Sequence, residues 1–474
     1  MNLKKILSFA IGPIGSAALG FLTLPIITWL YSPEDVGRIS MLNIAISFCV
    51  LLFSLGLDQS YVREYHETSS KGVLLKSAIT PGFFILLFIS FLFIIINPSL
   101  LSLLLFNENN YVLSSLTILI LLACFVSRFL SLILRMEEKG LAYSLSQLMP
   151  KLVIISAIGM FYLFSDEYSF MQLILANLFG FVFVLIIMAL NTKDDWMDAI
   201  KSSLSIDKIK TMLSFGYPLI LGGLAFWGVT AADRVFLRAM STFEQLAIFS
   251  VAVSFASAAT IIQSVFSTIW APIVYRVLNT DDGALELVNK ASRYMLIAVV
   301  CLFCICGLLS WVVDLFLPSN YGSVKFILIA CLGYPLLYTL SETTVIGINI
   351  SKKTSYSMLA ALLAFVINML GNYILVPRFG AAGAAVSTCV TFWFFFILRT
   401  EFSIITWKSI PRFEMYTFTF MCILGASCSA LLGDAVKYEL IAYWFALLLI
   451  VTVRNYREIA FLLLRKTGLS SNDN

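Results

Sequence analysis

Three cationic side chains lie inside long apolar segments of the sequence: Arg128, Lys151 and Arg234. A charged side chain within a bilayer is costly, so residues of this kind usually face a water-filled cavity and mark the path of a substrate or ion. Cations in that position would compensate the charge of an anionic group that hydrocarbon otherwise excludes. We therefore treat all three as candidate substrate-binding residues for an anionic substrate.

Arg128 and Lys151 belong to polar stripes of two successive predicted helices. Arg128 and Arg135 are seven residues apart and share a face with Ser131. The second stripe consists of Ser144, Gln147 and Lys151. If the two stripes face each other, they form a positively charged vestibule, and Arg135 becomes a further substrate-binding candidate. The alternative is that both long side chains snorkel to the nearby headgroups.

Arg234 lies late in another apolar segment, aligned with Trp227, Thr230 and Arg238 at helical offsets of three and four. A cation there suits the outer half of the same path, whereas the alternative role is that of a headgroup anchor. Asp233 is about 100° around the helix from Arg234, so the two charges do not share one face.

Acidic residues in polar intramembrane patches can bind a proton or a sodium ion and couple transport to an ion gradient. Glu342 lies among hydroxyl residues and is one candidate; Asp58 and Asp233 are the others. Glu342 could instead neutralise a buried arginine. Asp58 is followed by Arg63, a substrate-binding candidate near the surface, and could be a solvated helix end.

The residues that support covalent or metal chemistry are sparse in this sequence. Cys301, Cys304 and Cys306 are spaced so that a helix spreads their sulfurs apart, and the single histidine, His66, is in a distant loop. All nine cysteines lie in predicted spans, so no disulfide framework is indicated. There is no nucleotide-binding loop and no catalytic serine motif. We expect no enzymatic activity and no resident cofactor, apart from H⁺ or Na⁺ as a coupling ion.

The elements that must position these residues are membrane helices. Hydrophobic residues make up 60% of the chain and charged residues 12%, and the mean hydropathy is +0.95. About 20 apolar residues in a helix span a bilayer while satisfying their own backbone. The predicted spans are 6–30, 39–57, 74–96, 112–134, 145–164, 171–190, 213–236, 245–270, 293–316, 324–350, 358–376, 384–399, 414–432 and 440–453. The sequence thus predicts an all-α integral membrane protein with about 14 transmembrane helices.

The basic residues are distributed unevenly over the connections between spans. Of the 31 Lys and Arg residues, 23 fall on one side, five on the other and three inside spans. Because short basic loops stay in the cytoplasm, both termini are predicted to be cytoplasmic. The net charge of +4 is then a topology signal and gives no reason to expect a nucleic-acid partner. Lys4 and Lys5 precede an apolar run too long for a cleaved signal peptide.

A short internal echo suggests two repeated halves. Residues 31–40, between the first two spans, resemble residues 241–250, between spans seven and eight. Six spans separate the copies, so both have the same orientation, as in parallel repeats. We predict a six-helix lobe over 1–200 and a second over 201–400. Two further helices and a cytoplasmic tail complete the chain over 401–474.

Several phrases in order along the chain carry a resemblance to a known family. They are Leu30-Tyr-Ser-Pro-Glu-Asp-Val-Gly37, Gly56-Leu-Asp-Gln-Ser-Tyr-Val-Arg63, Phe215-Gly-Tyr-Pro218 with Phe226-Trp227 and Ala232-Asp-Arg234, Ile269-Trp-Ala-Pro272, and Val376-Pro-Arg-Phe-Gly-Ala-Ala-Gly-Ala-Ala385. With them the chain resembles the Wzx-like bacterial polysaccharide flippases of the multidrug/oligosaccharidyl-lipid/polysaccharide (MOP) superfamily. The resemblance implies two lobes arranged as in the related multidrug (MATE) branch.

The resemblance also implies a function. Such proteins move an undecaprenyl-pyrophosphate-linked oligosaccharide from the inner to the outer leaflet of the bacterial cytoplasmic membrane, for O-antigen or capsule-type polymers. Implied partners are this lipid-linked substrate, the membrane lipids, a polysaccharide polymerase and a chain-length regulator. Two alternatives stay open from the residues: a MATE-type drug or metabolite antiporter, and a polytopic acyltransferase or polymerase. The intramembrane cations disfavour cationic drugs, and the short outer loops disfavour external catalysis.

Overall fold

The computed structural model describes residues 3–165, 167–277 and 283–456. Within these ranges the secondary structure is helical, with three short 3-10 helices and no strand. The α-helices are α1 Leu3–Leu30, α2 Pro33–Phe53, α3 Leu57–Glu64, α4 Lys71–Ile96, α5 Leu100–Phe106, α6 Tyr111–Met136, α7 Gly140–Phe164, α8 Phe170–Asn191, α9 Lys193–Lys201, α10 Ile206–Met240, α11 Phe243–Ala256, α12 Ala258–Val277, α13 Gly283–Leu309, α14 Val324–Cys331, α15 Gly333–Thr344, α16 Ile346–Ile350, α17 Ser355–Thr406, α18 Phe413–Leu432 and α19 Lys437–Arg454.

Each of the fourteen predicted spans falls on one or more of these helices, and the all-α membrane fold is confirmed. Among the described residues, eleven helical stretches are long and apolar enough to cross a bilayer. The stretch Ser355–Thr406 holds two predicted spans, because Gly380 breaks the helical backbone between them with a φ of 53°. Phe413–Arg454 also holds two predicted spans. The apolar segment 459–464, which we considered as a surface helix, lies outside the described residues.

The predicted span 245–270 differs from the structure in its middle and at its end. It corresponds to two helices, α11 and α12, which meet at Ser257, and α12 continues to Val277. No run of polar residues marks the break between these two apolar helices in the sequence. Hydropathy therefore predicts one continuous span for both helices. The predicted polar connection 191–212 likewise contains a helix of its own, α9.

The described helices form two compact units. The first comprises residues 1–238 with 242–247, and the second comprises residues 239–241 with 248–474, each without the residues left undescribed. α10 therefore belongs almost wholly to the first unit. The predicted division into repeated lobes, with boundaries at residues 200 and 400, rests on the similarity between residues 31–40 and 241–250. That division stays a prediction.

Glycines allow close backbone crossings in the first unit. A Cβ on Gly82 of α4 would lie 1.9 Å from the carbonyl oxygen of Phe53, and a Cβ on Gly56 would lie 2.4 Å from that of Gly216. Gly56 also has a φ of +67°, a conformation that favours glycine, and it precedes α3 as its N-cap. These contacts place the end of α2 against α4 and the start of α3 against α10. The position of α3 matters because it carries Asp58.

Residues of the two echo segments meet at one end of the first unit. Ser32 caps α2, its hydroxyl accepting from the Asp35 backbone N–H at 3.2 Å, with Pro33 as the first helical residue. Gly37 then passes the Phe243 carbonyl so closely that a Cβ would lie 2.2 Å from its oxygen. Arg38 and Arg238 stack on the Phe243 ring, with 5.3 and 4.9 Å from guanidinium carbon to ring centroid.

Small residues also organise the second unit. Trp444 of α19 is 1% exposed and packs against two glycines, Gly307 and Gly425. A Cβ on these glycines would lie 2.6 and 2.9 Å, respectively, from the Trp444 ring. The α17 segments on either side of Gly380 fold back on each other, since the Asn368 amide donates to the Thr388 hydroxyl at 3.0 Å. The added helices α18 and α19 are therefore packed parts of this unit.

The charge asymmetry leads to a topology prediction. Single cysteines in the connections 193–210 and 276–293 should react only with membrane-permeant reagents in intact cells, and cysteines at 107–110 should react with impermeant ones. The background is a variant without the nine native cysteines. Impermeant labelling of either basic connection in intact cells would contradict the predicted orientation.

Candidate functional site

Arg128 and Asp58 form an ion pair in the first unit. The Arg128 Nη2 and Nε atoms lie 2.7 and 3.2 Å from Asp58 Oδ2. The Gln59 side-chain amide donates to the same oxygen at 3.3 Å. The Asp58 side chain is 9% exposed, whereas that of Arg128 is 35% exposed. The two residues are 70 positions apart in sequence, so α3 and α6 must pack together to create the pair.

This geometry describes a cation that is held in place but still accessible. The Arg128 Nε and Nη2 atoms both contact one carboxylate oxygen, and about a third of the side chain is exposed. A guanidinium binds phosphate and carboxylate oxygens in the same planar way. Arg128 can therefore exchange a carboxylate partner for a phosphate of similar geometry. We predicted Asp58 as a solvated helix end or an ion-coupling acid; the structure shows that it is buried and paired.

Lys151 of α7 lies near α1. A Cβ on Gly20 of α1 would be 3.9 Å from its ammonium nitrogen. Ser144 belongs to the same stripe, and a Cβ on Gly12 would lie 2.7 Å from the Ser144 Cα. The polar stripe of α7 thus runs along α1. Arg128 contacts Asp58 of α3, whereas the stripe that contains Lys151 lies against α1. A vestibule shared by Arg128 and Lys151 stays a prediction.

Arg63 and Arg135 are both exposed. The Arg63 guanidinium carbon lies 4.4 Å from the centroid of the Phe215 ring, which joins the end of α3 to α10. A cation–π contact leaves the guanidinium hydrogens directed outward, where they can still meet an anion. Arg135 is in the last turn of α6, two helical turns from Arg128. The substrate-binding role of both residues stays a prediction.

Asp233 and Arg234 are neighbours with different surroundings. Asp233 is 2% exposed, whereas Arg234 is half-buried and its Nη1 lies 3.4 Å from the Thr230 carbonyl oxygen. One turn earlier, the Trp227 indole donates to the Ser47 hydroxyl at 3.0 Å and its ring lies 4.9 Å from Phe48. The different burial of adjacent residues agrees with their predicted positions on separate faces of α10. Their roles in substrate and ion binding stay predictions.

Glu342 and Arg399 form a partly buried ion pair in the second unit, with 18% and 10% of their side chains exposed. Arg399 Nη2 lies 2.8 Å from Glu342 Oε1, and Arg399 Nη1 donates to the Ser341 hydroxyl at 2.6 Å. Tyr338 and Phe395 flank the guanidinium at 5.3 and 5.0 Å. Sequence reasoning considered neutralisation of a buried arginine by Glu342, and the structure shows that Arg399 is that arginine. It was missed because it is the last residue of its predicted span.

A second polar cluster in α17 was also missed. Asn368 and Asn372 are fully buried, and the Asn372 amide donates to both the carbonyl and side-chain oxygens of Asn368, each at 3.1 Å. Ser387 donates to the Asn368 carbonyl at 3.2 Å. Two asparagines four residues apart in an apolar segment were the available sequence signal. The cluster joins the two segments of α17 across Gly380.

A polar cavity of about 270 Å³ in the first unit contains both signs of charge. Glu137 Oε2 lies 2.8 Å from the Lys139 ammonium nitrogen, and this hydrogen bond raises the pKa of Lys139. Burial raises the pKa of the Asp195 carboxyl, and the charge of Glu137 adds to the shift. The remaining lining residues are Tyr61, Lys71, Leu75, Asn191, Asp194 and Asp198. With its acids outnumbering its lysines, this cavity is unsuited to an anionic substrate.

Comparisons with known proteins identify relatives by sequence family and by fold. The family model described as polysaccharide biosynthesis protein matches residues 2–278. No curated protein sequence matches the chain. The structure of the lipid II flippase MurJ in an inward closed conformation has a TM-score of 0.67 and 16% identity, covering 95% of this chain and 99% of that one.

A second solved structure has a similar fold. An inward-facing multidrug resistance MATE family transporter of the MOP superfamily has a TM-score of 0.56 and 13% identity, covering 85% of this chain and 96% of that one. At such identities the likeness shows the fold. It confirms the all-α transporter fold that the sequence resemblance implied.

Proposed function

Because the chain belongs to the polysaccharide biosynthesis protein family, we propose that it is a flippase for a lipid-linked oligosaccharide. It is a multi-pass membrane protein with the fold of MurJ and of a MATE transporter. The first of these solved proteins is named as a lipid II flippase. A flippase must carry a charged, hydrated headgroup past hydrocarbon, and the protein therefore has to supply compensating charge and polar contacts.

The Arg128–Asp58 pair is the observation that carries the proposal. Its guanidinium is accessible, and its current partner is a single carboxylate oxygen that a diphosphate can replace. Exchange of one anion for another avoids leaving Arg128 unpaired at any stage, which would be costly in a low-dielectric site. In this mechanism the incoming diphosphate displaces Asp58 and takes the guanidinium. Lys151, Arg234, Arg63 and Arg135 then serve as further contacts along the path.

Ion coupling follows from the same exchange. Once the diphosphate has taken Arg128, the Asp58 carboxylate is left with little exposure and one fewer cation. A proton or a sodium ion would restore its neutrality, so substrate entry and ion uptake are linked at one residue. We propose Asp58 as the coupling acid ahead of Glu342, because its partner Arg128 is 35% exposed and open to the substrate, whereas the Arg399 partner of Glu342 is 10% exposed. Asp233 stays a second candidate.

The remaining parts of the proposal follow the family resemblance. The substrate is an undecaprenyl-pyrophosphate-linked repeat unit, and the product is an O-antigen or capsule-type polymer. The protein resides in the bacterial cytoplasmic membrane with both termini inside, where the basic loops would be retained. A polymerase and a chain-length regulator use the exported unit. The accessible cations of the site suit an anionic headgroup better than the cationic drugs of a multidrug antiporter.

Disruption of the gene tests the proposal directly. The strain should lose its surface polymer and accumulate the complete lipid-linked oligosaccharide in the inner leaflet, and plasmid-borne wild type should restore the polymer. Incomplete oligosaccharide in the disrupted strain would indicate an enzyme of assembly. Unchanged polymer together with increased drug sensitivity would indicate the antiporter.

A further inference from the structure

A cavity in the second unit forms a basic pocket, separate from the site above. Its volume is about 690 Å³, and it lies between the first half of α13 and the connection from α17 to α18. One wall is formed by α13 residues 286–296 and the other by residues 410–415. Its lining includes none of the residues that we assigned to substrate or ion binding.

Cationic side chains come from both walls of this basic pocket. Lys290 and Arg293 are exposed and one helical turn apart on α13, and Arg412 faces them from the other wall. Arg293 Nη2 lies 3.5 Å from Asn455 Oδ1, and Arg412 Nε lies 2.8 Å from Glu401. Each of these two guanidinium groups therefore has a polar partner within the protein.

The acidic residues of the basic pocket only partly offset these cations. Glu414 is bound by Arg454, so its charge is compensated from outside the pocket. Glu286 is the other acid of the lining. The lining thus contains three cations, of which Arg412 is paired with Glu401, and two acids, of which Glu414 is paired with Arg454. An excess of positive charge of this kind attracts an anion.

The start of α18 adds backbone donors to the same pocket. At the start of this helix the Tyr416 N–H donates to the Arg412 carbonyl at 2.9 Å. The N–H groups of residues 413–415 precede it, and these three residues line the pocket. Helix N-termini stabilise anions through such N–H groups and the helix dipole. The cations and the helix end therefore favour the same ligand charge.

The surroundings of the basic pocket favour a lipid as the source of that anion. Phe413, at its rim, is 82% exposed, and Phe420 and Leu424 continue the same stripe of α18 at 50% and 48% exposure. Exposed aromatic rings at a helix end are typical of the membrane interface. A headgroup in the pocket would thus have an apolar surface beside it for its acyl chains. Basic pockets between transmembrane helices on the cytoplasmic side are suited to anionic headgroups.

We propose that this basic pocket binds the phosphate headgroup of an acidic phospholipid in the leaflet on the basic side of the protein. The proposal is independent of the transported substrate, because the pocket and the Arg128 site share no residue. The bound lipid would join α13 to the added helix α18.

Lipid binding to the purified full-length protein tests this assignment. In native mass spectrometry or a lipid titration, phosphatidylglycerol should bind the wild type more tightly than phosphatidylcholine. The variant Lys290→Ala/Arg293→Ala should bind phosphatidylglycerol about 30-fold more weakly. This factor is the combined effect on the dissociation constant of removing two cations near an anionic headgroup. The variant Lys290→Arg/Arg293→Lys keeps both charges and should retain binding, which also controls for folding.

A matched control removes two exposed cations elsewhere on the basic side. The variant Lys201→Ala/Lys210→Ala should bind phosphatidylglycerol as the wild type does. Equal weakening in the control would overturn the proposal in favour of non-specific surface attraction. Displacement of the lipid by millimolar sodium phosphate would overturn the lipid source and identify a site for free phosphate. Equal affinity for phosphatidylcholine would exclude recognition of the anionic headgroup.

Discussion

Replacing Arg128 with Ala is expected to reduce export of the surface polymer by about 30-fold or more. Removing one partner of a partly buried, hydrogen-bonded charge pair costs about 2 to 5 kcal/mol. In addition, the diphosphate loses its first cation and Asp58 loses its neutralising partner. Complementation of a strain without the gene, normalised to the amount of protein in the membrane, measures the effect.

Conservative variants separate charge from geometry at this site. Arg128→Lys keeps the charge but loses the planar contact, so it should restore export partly. Lys201→Ala removes an exposed cation outside the site and should leave export unchanged. Asp58→Asn should leave headgroup binding intact while making export insensitive to the ion gradient. Full polymer production by Arg128→Ala/Lys151→Ala at normal abundance would refute the cationic site and leave Arg234 as the remaining intramembrane candidate.

Replacing Arg399 with Met is expected to destabilise the second unit by about 2 to 5 kcal/mol, because the partly buried Glu342 would lose its cation. Thermal unfolding of the purified protein and its abundance in the membrane measure the loss. The double variant Arg399→Met/Glu342→Met should recover most of the stability, since it buries no uncompensated charge. A matched control is Arg412→Met, whose pair with Glu401 is exposed and should contribute less than about 1 kcal/mol.

The same double variant distinguishes structure from ion coupling at Glu342. If the pair is only structural, the stable double variant should export polymer at close to the wild-type level. A stable double variant without export would identify Glu342 as a coupling residue and weaken the assignment of Asp58. Wild-type stability of Arg399→Met alone would contradict the partly buried pair itself.

The tertiary contacts explain why sequence reasoning found some of these residues and missed others. Arg128 was identified because one arginine in an apolar segment is unusual by itself. Asp58 was underestimated because its partner is 70 residues away and its own surroundings in sequence look like a helix end. Arg399 was missed for the same reason, since Glu342 is 57 residues away.

The sequence by itself determined the membrane class, the helices and the expected orientation of this protein. In hydrocarbon every backbone group must bond within its own segment, so an apolar run of sufficient length is helical whatever it packs against. Only the tertiary structure decided that Asp58 meets Arg128, that Trp444 fills the space beside Gly307 and Gly425, and that two helices meet at Ser257. Those contacts depend on packing between residues far apart in the chain, and side-chain partners of that kind leave no local periodicity to be detected.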